Sequence, residues 1–78
     1  MKIGPDDILQ NGTKVQIGEK IGTVLSHAIE PSSNGFGPIV VHTFKLTHKI
    51  DTTTFKRREI PLKKEIVQRA NYSSVYVF

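Results

Sequence analysis

A chain of 78 residues with no cysteine has room for one small domain, here residues 1–78, and none for disulfide frameworks, thiolate metal sites or cysteine nucleophiles. Apolar residues at 37% and charged residues at 23% exclude both a disordered tail and a membrane span, and the longest aliphatic run is only Ile39-Val40-Val41. The net charge of +4 gathers in the second half, where residues 45–78 hold eight bases against three acids while residues 1–44 hold three lysines against four acids.

The opening Met1-Lys2-Ile3-Gly4-Pro5-Asp6-Asp7 places two acids and a proline where a secretory signal needs an apolar stretch of ~7–15 residues. The expected location is therefore cytoplasmic, or an assembled virion if the chain is of phage origin. In Thr13-Lys14-Val15-Gln16-Ile17 apolar and polar side chains alternate, the pattern of a strand with one buried face. Gly18-Glu19-Lys20 supplies the turn, with Gly18 free to adopt positive φ. Residues 21–29 read as a second strand, with Ile21, Leu25 and Ile29 on one side. The other side carries Gly22, Val24, Ser26 and Ala28, small residues suited to a curved strand packed on a backbone.

Residues 30–38, with two prolines, two glycines and an Asn-Gly step, read as a loop. Ile39–Ile50 reads as a long strand with Val40, His42, Phe44, Leu46, His48 and Ile50 on one face. Asp51–Thr54 turns the chain, Phe55–Ile60 returns antiparallel, and Pro61 is expected to stop that strand. Between Leu62 and Ala70 the apolar positions 62, 66, 67 and 70 have helical spacing behind a proline, which predicts one or two helical turns, with a strand through Glu65–Arg69 as the competing reading. Ser74–Phe78 alternates Val75 and Val77 against Tyr76 and Phe78 and is expected to close the sheet.

This pattern predicts an all-β fold: a small five-stranded antiparallel barrel with a short helical turn before the last strand. Asn11-Gly12-Thr13-Lys14-Val15-Gln16-Ile17 followed by Lys20-Ile21-Gly22-Thr23-Val24 resembles the opening of SH3-like barrels, including KOW-type modules. In those, a glycine and a polar residue precede a Val-x-Ile strand and a Gly-x-Val step starts the next. The resemblance covers roughly the first 29 residues, and departs from the KOW pattern in carrying only Gly18 and Gly22 between the strands. It implies a module that binds RNA, proteins or larger assemblies, of a type that is rarely catalytic.

A domain this size buries only ~60% of the surface its unfolded chain exposes, so a deep catalytic cleft is not expected. The Gly-x-Ser-x-Gly elbow and phosphate-binding glycine loops are absent, and neither a cofactor nor a small-molecule substrate is expected. His42 and His48 lie ~20 Å apart along a strand and cannot share a metal; His27 would approach one of them only through suitable pairing, so these residues read as polar side chains at the rim of a barrel face. The run Lys56-Arg57-Arg58, beside Phe55 and followed by Lys63, Lys64 and Arg69, puts Lys56 and Arg58 on one side of a strand, where Lys45 and Lys49 would extend a phosphate-binding patch. The same charges suit, somewhat better, an edge strand protected from aggregation. Phe36, between two glycines, is a candidate protein contact, as are Tyr76 and Phe78 on a C-terminal segment able to join a partner's sheet. The leading expectation is a structural or accessory module docking into a protein assembly or homo-oligomer; the alternative is RNA or DNA binding through the basic face of residues 45–69.

Overall fold

Gly18 takes φ +60° and, with Glu19, forms the two-residue loop that sets Ile17 opposite Lys20. From that hairpin the computed structural model, which describes residues 1–31, 37–51 and 58–78, builds one antiparallel sheet of five strands. They are β1 (Lys14–Ile17), β2 (Lys20–Pro31), β3 (Pro38–Asp51), β4 (Arg58–Asn71) and β5 (Tyr76–Val77), arranged β4-β3-β2-β1-β5. The expected all-β architecture is present. The sheet is not closed, because β4 and β5 stand at its two edges without pairing to one another.

Three register shifts give the sheet its shape. Leu25 is an extra residue on β2 between the Val24–Phe44 and Ser26–Thr43 pairs, and Thr47 is an extra residue on β3 opposite the Ile21–Gly22 step. On β4, residues 62–65 stand opposite Thr47 alone, between the Leu46–Ile66 and His48–Pro61 pairs. The bulges at Leu25 and Thr47 add twist and reverse which side chains face inward. Val24 and Phe44 are thus followed inward by the His27–His42 pair, so Leu25 and Ile29 do not share a buried side with Ile21 and both remain exposed. The inward series on β3 likewise runs through Val40, His42, Phe44 and Leu46 but ends at Thr47, beyond which His48 and Ile50 fall on the opposite face.

The helix expected over residues 62–70 is replaced by strand β4, and a single 3₁₀ turn at Tyr72–Ser74 precedes β5. The helical spacing of its apolar positions has a different cause. Leu62 packs against the core from within the bulge, and Ala70 does so from the regular stretch opposite His42. Nor does Pro61 stop the strand: β4 is an edge, where a missing N–H is tolerated.

The core comprises Ile3, Val15, Val24, Phe44, Leu46, Val75 and Val77, with Leu9, Ile17, Leu62, Ala70 and Tyr72 packed against it. Gly22 lies where a side chain cannot: an added Cβ would stand 2.1 Å from the Lys45 carbonyl oxygen. This close approach of β2 to β3 is what the small residues on β2 permit. The N-terminal segment crosses β3, with the Val40 N–H donating to the Pro5 carbonyl at 2.9 Å and the Leu9 N–H to His42 Nε2 at 2.9 Å.

Candidate functional site

Both sheet edges carry exposed apolar and charged groups. At the β5 edge, Tyr76 pairs with Gln16 and makes an isolated bridge to Lys2, leaving about half of its surface exposed. Phe78 is similarly exposed and lies under the Lys14 ammonium, 5.0 Å from the ring centroid. An open hollow beside Tyr76 is lined by Lys2, Gln16, Gly18, Ser73, Ser74 and Val75, and offers neither a carboxylate nor an imidazole for acid–base work. Phe36, the third candidate protein contact, lies outside the described residues.

At the β4 edge the cations are interleaved with carboxylates. Lys45 meets Glu65 at 3.0 Å, Arg69 meets Glu30, and Lys14 meets Glu59 at 2.9 Å. Arg58 stands opposite Asp51 in the register. The bulge at Thr47 also puts Lys45 and Lys49 on opposite faces, so they do not extend one patch as the uninterrupted alternation had implied. Lys63 and Lys64 project from the β4 bulge and are exposed. Lys20, which sequence reasoning did not single out, lies directly across from Lys49. Phe55 and Lys56 lie outside the described residues.

The histidines are placed differently from expectation. His42 is fully buried, not at a rim, and its ring sits 6.2 Å from that of His27 and 5.8 Å from that of Phe44. Because Nε2 accepts the Leu9 amide, the neutral ring carries its proton on Nδ1, which has no partner among the described residues. Burial, followed by the neighbouring His27, holds the His42 pKa below its ordinary value. Among the described residues no three His, Cys, Asp or Glu side chains gather closely enough to hold a metal ion.

Glu30, Glu65 and Arg69 complete the β4 surface. Arg69 was named with the basic run, while the alternation Glu65-x-Val67-x-Arg69, which fits the competing strand reading of Glu65–Arg69, was the available signal for Glu65. Comparison with known proteins finds no matching family model and no significant match among curated proteins or solved structures.

Proposed function

We propose that this chain is a non-catalytic binding module that docks into a larger protein assembly or an oligomer of its own copies, through its sheet edges and the segment carrying Phe36. The supporting observation is the β4 edge: fourteen residues at the end of an unclosed sheet, most of them exposed. Unpaired backbone groups along such an edge are a template for another strand. The same reading treats the sheet as an opened SH3-like barrel. Lys14 of β1 reaches Glu59 of β4 although β2 and β3 intervene in the sheet order, which is consistent with a rolled sheet. A contact of ~800 Å² on each partner would cover about a seventh of the 5561 Å² surface, enough for assembly to contribute heavily to stability.

Size-exclusion chromatography with light scattering and absorbance at both 260 and 280 nm tests this reading. The expected result is a defined oligomer or partner complex that persists at high salt and weakens in Phe36→Ala. A strictly monomeric protein that recovers no partner from its native extract rejects it.

A second reading, RNA or DNA binding, is supported by Lys20 facing Lys49, a like-charge pair that an anion would relieve, and by exposed Lys63 and Lys64. It requires retention on RNA or heparin that falls steeply with salt and drops further in the Lys63→Ala, Lys64→Ala double variant. Unchanged retention in that variant removes the reading.

A further inference from the structure

Over its regular stretch, residues 66–71, β4 is paired only on its β3 side among the described residues, and Val67 is 66% exposed at the middle of the segment 63–71. The side chains of Glu65, Val67 and Arg69 fall on the same face as Lys45 and Glu30, as their alternation and ion pairs require. Two identical antiparallel strands meeting edge to edge about a two-fold axis normal to the sheet must place one residue opposite itself, since only then do opposed side chains share a face.

The possible centres differ sharply in charge. Centring on Glu65 sets glutamate against glutamate, and centring on Arg69 sets arginine against arginine. Centring on Ile66 leaves Glu65 facing Val67, and centring on Gln68 leaves Arg69 facing Val67, so neither gains an ion pair. Centring on Lys64 gains Lys63–Glu65 pairs but puts two lysines face to face. Only Val67 brings Glu65 opposite Arg69 twice with no like charges opposed, while Ile66 meets Gln68.

We infer that the β4 edge recognises a second copy of this chain, pairing antiparallel about a two-fold axis at Val67. This deepens the assembly reading and rests on it. Glu65 and Arg69 already bind Lys45 and Glu30, so each half of the joint sheet carries an alternating row from Glu30 through Arg69, then Glu65 and Lys45 of the second copy. Exposed ion pairs contribute little affinity, but like charges directly opposed are unfavourable, so the row selects register. The symmetric contact uses the β4 edges of both copies and leaves neither available for further growth.

The absence of native cysteines makes the register directly testable. Opposed residues in an antiparallel pair have Cα atoms ~4.5–5.5 Å apart, within disulfide reach, so Val67→Cys should form a covalent dimer under mild oxidation. Lys63→Cys should not, because Lys63 projects from the bulge beyond the regular stretch, where its two copies fall on opposite sides of the axis and out of disulfide reach. Glu65→Arg and Arg69→Glu should each weaken dimerisation by roughly tenfold or more, while their equimolar mixture restores a heterodimer with both ion pairs rebuilt. Circular dichroism on each variant checks that β structure is retained. A folded Val67→Cys protein that does not cross-link, equal cross-linking of Lys63→Cys, or no rescue on mixing overturns the inference. If wild-type oligomers persist in that event, or the monomer recovers another protein, the assembly reading stands and only the β4 pairing falls. A wild-type monomer without partners removes both.

Discussion

At one edge of the sheet β5 contributes two residues, braced by the Lys2–Tyr76 bridge and by the Val77 N–H donating to the Met1 carbonyl at 2.8 Å. At the other edge β4 runs for fourteen residues and buries little beyond Leu62 and Ala70, which are themselves only partly covered. Val15, Val75 and Val77 tie the β5 side into the core, whereas the outer surface of β4 is held by exposed ion pairs. The contrast separates two tasks. Core contacts are concentrated where the N-terminal segment, β1, β5 and the middle of β3 converge, and the outward face of β4 adds only surface ion pairs, which suits it to the proposed docking.

Substitutions in the core should break that contrast most strongly. Phe44→Ala removes a fully buried ring and should lower the unfolding free energy by about 4 kcal/mol, measured by urea denaturation. Gly22→Ala should cost about 3 kcal/mol, because its Cβ meets backbone rather than a movable side chain; a melting temperature equal to wild type would show that β2 can withdraw from β3 freely.

Acid should act next, and on the core side. With its folded pKa lowered, His42 favours the neutral native state, while the unfolded chain takes up a proton near its ordinary value of about 6.5. The resulting stability is present above that value and is lost as pH falls from it toward the lower folded pKa. Protonated Nε2 would also turn a donor toward the Leu9 N–H. Urea midpoints at about pH 7 and about pH 5 should therefore differ less in His42→Gln than in wild type; equal differences would exclude His42 as a source of the acid sensitivity.

The smallest effects belong to β4. Val67→Lys and Lys45→Ala should each change the unfolding free energy of the monomer by no more than about 0.5 kcal/mol, since Val67 is exposed and the Lys45–Glu65 pair is on the surface. Val67→Lys should nevertheless abolish β4 pairing in light scattering by opposing two lysines at the axis. Destabilisation comparable to that of Gly22→Ala would mean that β4 supports the core after all.

Much of this fold was legible residue by residue. The alternation around Val15 identified β1, Gly18 identified the turn, and the inward positions Val40, His42, Phe44 and Leu46 were readable because strand pleating alone dictates them. The β4 segment was not, since Leu62, Ile66, Val67 and Ala70 satisfy helical spacing equally well and only pairing with β3 arbitrates. Tyr76 and Phe78, candidates because they alternate with Val75 and Val77 on a β-rich end, are about half exposed, as that alternation allows. Lys20 was missed because its significance lies in facing Lys49, far away in sequence.

Local chain chemistry determined the all-β class, the first hairpin and the tendency to bury alternate residues, because pleat and glycine φ are properties of neighbouring residues. Tertiary structure alone decided that the chain reverses its buried face at Leu25 and Thr47, that residues 62–65 bulge, and that Lys45 and Arg69 meet carboxylates on other strands. A bulge exists only relative to the strand it pairs with, and an ion pair only once two strands are side by side, so neither is written in the order of the residues themselves.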